Sequence, residues 1–290
     1  GIQHPLSDKA KEIVLGFIKS LNIPAYDEST GKGLIRHIVT KIAFGTGEVM
    51  VVIVATRPEI PKINKLLYRL KRDIPGLSSV ILNINPNPGN VILGQNYRTL
   101  FGSDTIVDKI GDLFFEISPL SFYQVNPIQT KLLYDKAIEY ARLSGNETVY
   151  DIYCGIGTIS LFAASKSSVV IGIEVVPETV EAAKRNAIKN NINNVEFYTG
   201  EAEKVFPELF AAGKTADVVF VDPPRKGCDE TLLKSLVEMS PKRIVYISCN
   251  PSTLARDLKY LTANSYTVEA VQPVDMFPYT AHIETIALLQ

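Results

Sequence analysis

Three cysteines in 290 residues, Cys154, Cys228 and Cys249, are too few and too scattered for a disulfide framework. None forms a Cys-x-x-Cys pair, so no zinc or other metal site is expected. Such usage fits a reducing compartment. No apolar run reaches the length of a membrane span, and the opening GIQHPLSDKA has no signal-peptide pattern, so a cytoplasmic protein without a membrane partner is expected. Nor is there an excess of either charge: the formal net is -1, whereas a domain that grips a phosphate backbone unaided is usually strongly basic. That weighs against a self-sufficient RNA binder but not against a catalytic core that borrows affinity from another domain. Internal repeats and low-complexity segments are missing too. The chain opens at Gly1 without an initiator methionine, as expected of a fragment or a processed chain.

What is present is 46% hydrophobic, 21% charged and 9% aromatic, enough apolar content for a large core in one large domain or two smaller ones. The first part reads as α+β. SDKAKEIVLGFIKSL puts Ile13, Val14, Phe17, Ile18 and Leu21 on one helical face behind a Ser7 cap. LIRHIVTKIAF and EVMVVIVAT flank Gly45-Thr46-Gly47 as a hairpin. PKINKLLYRLKRD is a helix with a basic face, and SSVILNIN, TIVDKIG and LFFEIS are further strands. His37 lies in a strand and is expected to be structural. Lys62, Lys65, Arg69, Lys71 and Arg72 could meet phosphate or simply face water.

From about Phe122 strands and helices alternate, the rhythm of a doubly wound parallel sheet. TVYDIY, VVIGIEV, VEFYTG, ADVVFVD and RIVYISC are its strands, with helices begun by TISLFAAS and PETVEAAKRNAIKNN. TVEAVQPVDMF and HIETIALLQ lack a helix between them and should close the sheet as an antiparallel pair.

In DIYCGIGTISL, Gly155 and Gly157 fall in the turn after the first of these strands, where backbone must approach a ligand. The next strand ends at Glu174, about 17 residues on, where a nucleoside-binding unit places the acid that accepts from ribose hydroxyls. The third glycine of a dinucleotide fingerprint is missing, Ser160 and Leu161 following instead. A ligand with one nucleoside and no pyrophosphate, such as S-adenosylmethionine, fits better. A tight turn with a solvated strand-end acid is the plainer alternative. VFVDPPRKG ends a strand in Asp222-Pro223-Pro224, whose prolines remove two donors and hold Asp222 at the sheet edge. It resembles the Asp/Asn-Pro-Pro loop of methyltransferases acting on planar nitrogen heterocycles, although it could simply terminate the strand.

VYISCNPSTL breaks a buried strand at Cys249. A free cysteine is often only a small buried side chain, but this one should lie beside Asp222. A thiol there suits methylation of uracil, whose carbon 5 is a poor nucleophile until a thiolate adds at carbon 6. The carbon 5 proton must then be removed, and Glu284 in FPYTAHIETIALL is a carboxylate placed to start the last strand. A thiol near pKa 8.5 is only slightly ionised at neutral pH, so local activation is expected.

These segments together resemble the RNA uracil-5-methyltransferases, which make 5-methyluridine in tRNA and large-subunit rRNA. The resemblance runs from FYQVN (Phe122 to Asn126) through DIYCGIGT, VDPPRKG, SCNPSTLARD and DMFPYTAHIET. It implies a class I Rossmann-like methyltransferase domain over 120–290, doubly wound and mostly parallel with an antiparallel C-terminal strand, preceded by a smaller α+β domain over 1–119 that shapes the RNA groove. It implies Cys249 as nucleophile, Glu284 as base and S-adenosylmethionine as cofactor. Gln124, Tyr153 and Glu174 match cofactor or target-base positions, as do Gly155, Gly157 and Thr158 of the glycine turn, the last often asparagine in related enzymes. Glu201 matches an adenine contact and Asp222 the junction of cofactor and uracil. His282, Cys154 and Cys228 are expected to be structural. SCNPSTLARD and VDMFPYTAHIET look more like the branch acting on 23S rRNA than the tRNA branch.

Two departures matter. The family commonly carries an N-terminal oligonucleotide-binding barrel, and some members hold an iron-sulfur cluster on four cysteines; neither is present in these residues. A barrel elsewhere in the full protein would aid RNA binding. The rival readings are tRNA uridine methylation, a nucleobase amino-methyltransferase using Asp222-Pro223-Pro224, and a non-catalytic RNA-binding scaffold.

Overall fold

The structure is a computed structural model that describes residues 3–124 and 126–290. It divides into two compact units, one holding residues 3–109 and 116–121, the other 110–115 and 122–290. Among the described residues no helix is long and apolar enough to cross a membrane.

In the first unit, α1 (Pro5–Ser20) buries Ala10, Val14, Phe17 and Ile18. Its cap is His4, whose ring accepts from the Leu6 N–H, rather than Ser7. Proline needs no N–H partner in the first turn, so Pro5 begins the helix and leaves Ser7 inside it, bonded to Thr40. Strands β1 (Ile35–Ile42) and β2 (Val49–Ala55) form the antiparallel hairpin, with Gly47 at positive φ in its turn. β2 is buried along its whole length, as an interior strand must be, and α2 (Ile63–Asp73) crosses over to β3 (Leu77–Ile84), which runs parallel to it. The edge is β4 (Asn96–Gly102), antiparallel to β3, giving the order β1-β2-β3-β4. β4 was not expected from the sequence, because its exposed residues show no alternation. His37 sits on β1 with Nε2 3.8 Å from Glu28. Strands β5 (Ile106–Ile110) and β6 (Leu113–Ile117) pair as a ribbon whose tip groups with the second unit.

The second unit begins with α3 (Pro127–Ala141), capped by Asn126. It continues through β7 (Thr148–Ile152), α4 (Thr158–Ala164), β8 (Val169–Glu174), α5 (Pro177–Lys189), β9 (Val195–Thr199) and α6 (Ala202–Ala211). There follow β10 (Val218–Val221), α7 (Glu230–Met239), β11 (Arg243–Ser248), α8 (Pro251–Thr262), β12 (Val268–Val274) and β13 (Glu284–Leu289). The sheet order is β12-β13-β11-β10-β7-β8-β9. Every pair from β9 to β11 is parallel, while β13 runs antiparallel to both β11 and β12. This is a Rossmann-like fold with the expected antiparallel closure. β10 is four buried apolar residues with helices to cover it; burying each large side chain contributes on the order of 1.5 to 3 kcal/mol. Because the chain first winds to β8 and β9 and then returns to β10 on the other side of β7, a crevice opens at the carboxyl ends of β7 and β10.

Candidate active site

Most of the candidate site residues follow strand ends of this sheet. After β7, Tyr153 has φ 67°, a left-handed conformation that strains a side-chain-bearing residue. Its hydroxyl donates to Glu203 at 2.9 Å. Gly155 and Gly157 follow at φ 55° and 82°. A Cβ on Gly157 would lie 3.0 Å from Phe197, so that glycine serves packing. A Cβ on Gly155 would meet nothing within 4 Å, so the space over that turn is open. Glu174, ending β8, accepts from the N–H groups of Gly155 at 3.2 Å and Val176 at 2.9 Å. Two bonds leave a carboxylate with free lone pairs.

Asp151, one of the residues the sequence reading passed over, lies on β7 beneath this turn. Its carboxyl is buried; one oxygen accepts from Ser160 at 2.5 Å and the other has no partner among the described residues. Burial pushes it up to about 6. A lone acid inside an otherwise apolar strand was the signal available in TVYDI. Thr158 opens α4 and stands beside the buried hydroxyl of Tyr134. Gln124 is half-buried between β6 and α3. Glu201 is exposed at the start of α6 and pairs with Lys204 at 2.7 Å.

Asp222 follows β10, its N–H donating to Ile152. Burial, Glu284 and Asp151 push its carboxyl up to about 8. Cys249 stands between β11 and Asn250, the cap of α8. The antiparallel register pairs Ser248 with Thr285, which sets Cys249 and Glu284 beside each other one rung on. Glu284 is buried, and its pKa is raised by burial and lowered by Arg225. The local activation expected for Cys249 is not found. Burial, Glu284 and Asp222 push its thiol up, opposed by Arg225 and a backbone hydrogen bond. Carboxylates crowd a thiol that the Arg225 guanidinium and a backbone hydrogen bond do not fully offset.

A second layer joins the loops carrying Asp222 and Cys249. From α8 and its cap, Asn250 and Thr253 donate to the Arg225 carbonyl, and Arg256 donates to those of Lys226 and Cys228. The buried Asp257 accepts from the Cys228 N–H at 2.9 Å and the Tyr246 hydroxyl at 2.6 Å. Cys228 is buried and pushed up to about 12 by desolvation, as befits a structural thiol. Cys154 is buried against Gly172, where a Cβ would come within 3.0 Å of its Sγ. His282 is exposed and stacks edge-on against Phe277.

The family model described as tRNA (Uracil-5-)-methyltransferase matches residues 103–290, which hold every element of this site. The chain belongs to that family. Its relatives include a protein of Caldanaerobacter subterraneus named an uncharacterized RNA methyltransferase, 56% identical over the whole of this chain and 64% of its own length. A like-named protein of Halalkalibacterium halodurans is 51% identical over the same share of this chain and 63% of its own. The chain thus spans a little under two thirds of these curated relatives. The crystal structure of Pyrococcus abyssi tRNA (uracil-54, C5)-methyltransferase with S-adenosyl-L-homocysteine is similar with a TM-score of 0.80 and 30% identity, over 96% of this chain and 66% of that one. The M. jannaschii tRNA m1G37 methyltransferase, at 0.57 and 13% identity over 96% of this chain and 77% of that one, shares the fold alone.

Proposed function

We propose that the protein transfers a methyl group from S-adenosylmethionine to carbon 5 of a uridine in RNA. The observation that carries the reading is the register that sets Cys249 beside Glu284 with Asp222 at the neighbouring strand end. An amino-methyltransferase would use Asp222 and leave the thiol and the second acid without work.

The residues fit the cofactor. Open space lies over Gly155, Glu174 keeps lone pairs for two ribose hydroxyls, and the unpartnered oxygen of Asp151 suits a cationic group. Tyr153, Thr158 and Glu201 border the same turn or the strand ends flanking it, and with Gln124 they are assigned to cofactor or target base on the family's pattern. When bound, S-adenosylmethionine supplies an electrophilic methyl group on a cationic sulfur.

Cys249 loses its proton to Asp222 in the fraction of molecules in which that carboxyl is ionised, and a pKa near 8 makes it the carboxylate best matched to a thiol. Its sulfur adds to carbon 6 of uracil, and the electrons of the ring double bond move toward carbon 5 and the carbon 4 oxygen. Carbon 5 then accepts the methyl group. Glu284 removes the remaining carbon 5 proton, the double bond re-forms and the thiolate leaves. On the pattern of SCNPSTLARD and VDMFPYTAHIET the RNA is 23S rRNA; the similarity to the Pyrococcus tRNA enzyme supports tRNA as a second reading.

Cys249→Ala should neither methylate nor attach to RNA. Glu284→Gln should still transfer the methyl group and then stall, since losing a positioned base slows elimination by roughly 10² to 10⁴. A methylated RNA then stays bonded to Cys249, seen as a slow band on a denaturing gel and an added mass on the cysteine peptide. Methylation by Cys249→Ala, or wild-type turnover by Glu284→Gln, would defeat the mechanism. Mapping 5-methyluridine in rRNA and tRNA of a deletion strain decides the target.

A further inference from the structure

The cationic face of α2 has no part in the site described above, and a groove runs beside it. Leu66 and Leu70 are buried and anchor the helix. Outward, Lys62, Lys65, Arg69, Lys71 and Arg72 stand against one acid, Asp73, a net of +4 in a chain of net -1. Arg72 takes Asp73 at 2.7 Å, whereas Lys62, Lys65 and Arg69 make no ion pair among the described residues. Lys71 and Arg72 suit a helix C-terminus, but Lys62 and Lys65 crowd an N-terminus that has no acid in its first turn and no side-chain cap. Cations there oppose the helix dipole. Lys65 and Arg69, four residues apart, also repel. A merely solvated helix gains nothing from such a pattern, whereas a bound polyanion relieves it.

The second observation is independent of charge. A groove of about 570 Å³ is lined by Leu67, Tyr68, Lys71, Arg72, Leu100 and Phe101. Tyr68 is 66% exposed, and the Lys71 Nζ lies 4.3 Å from the Phe101 ring centre. Aromatic faces flanked by cations are what unpaired bases and their phosphates bind.

We propose that the groove formed by α2 and β4 is a binding surface for single-stranded RNA, with Tyr68 as stacking face and Lys65, Arg69 and Lys71 meeting phosphates. It rests on the reading of this protein as an RNA enzyme and adds where the RNA is held. The test is fluorescence anisotropy of the 290-residue chain with a labelled 20-nucleotide single-stranded RNA between 50 and 300 mM salt. Tyr68→Ala should weaken binding roughly tenfold and leave the salt slope unchanged. The triple variant K65Q/R69Q/K71Q should flatten the log-log slope by about 2, near 0.7 for each phosphate that is no longer neutralised. Circular dichroism confirms folding of both. Adduct formation with 5-fluorouridine RNA keeps the two readings apart. If variants lose RNA affinity but even wild type forms no adduct, the surface stands and the catalytic reading falls. If the adduct forms and both variants bind RNA like wild type, the surface is overturned. So is it if they alter only self-association in sedimentation, as a protein-binding face would.

Discussion

Asp222 follows a buried strand with Glu284 and Asp151 acting on it, and its carboxyl is pushed from near 3.8 to about 8. The unfolded chain releases this proton near pH 4 while the folded chain holds it to about pH 8, so between those values the native state binds more protons. Stability therefore falls as pH rises through that window and levels off above it. Asp222→Asn cannot ionise. It should melt above wild type at pH 8, with the gap closing toward pH 4, and should be inactive at both. Thermal scans at the two pH values check this, and an Asp222→Asn protein less stable than wild type at pH 8 would contradict it. Glu174 accepts from two backbone N–H groups and keeps lone pairs for ribose hydroxyls. Its loss removes hydrogen bonds to an ionised acceptor, on the order of 1.5 to 3 kcal/mol each. Glu174→Ala should weaken S-adenosylmethionine at least tenfold by calorimetry; an unchanged dissociation constant would remove it from the site.

At the scale of elements, the clamp between α8 and the loop after β10 sets the spacing of nucleophile and carboxylate. Gly227 lies inside it at φ 78°, and a Cβ there would come within 2.6 Å of both Arg256 and Asp257. Gly227→Ala and Asp257→Asn should lower the methyl-transfer rate tenfold or more while leaving S-adenosylmethionine affinity within twofold, because the glycine turn and Glu174 stand on other strands. A lower melting point with full activity below it would make the clamp merely structural. None of this was legible in the sequence. The strands were, because β10 and β11 are apolar runs ended by Asp-Pro-Pro and by Cys-Asn-Pro, and so were the residues that end them. Asp151 was not singled out although a lone acid in an apolar strand marked it, and Asp257 looks like an ordinary helix-surface acid until the fold shows it buried. Nor was the raised thiol pKa of Cys249 foreseeable, because it depends first on burial and then on two carboxylates brought in from 27 residues before and 35 after.

Over the molecule, a net charge of -1 conceals segregation: α2 and its cap carry +4, so the remainder carries -5. Part of that remainder is the group of acids at the strand ends, Asp151 pushed up to about 6, Asp222 to about 8, and Glu284 raised by burial. Their shared ionisation makes the site more negative at pH 8.5 than at pH 6. S-adenosylmethionine and S-adenosylhomocysteine share every group except the methyl and its positive charge, so the ratio of their affinities reads the field at the sulfur. That ratio should shift toward the methyl donor between pH 6 and 8.5, on the order of tenfold for a carboxylate charge gained nearby at an effective dielectric constant near 20. In Asp222→Asn the shift should shrink to the share left to Asp151 and Glu284. Calorimetric titration of both ligands at both pH values measures it. A ratio that does not move with pH would mean that these carboxylates do not act on the bound sulfur, and that their raised pKa values serve the thiol and the target base alone.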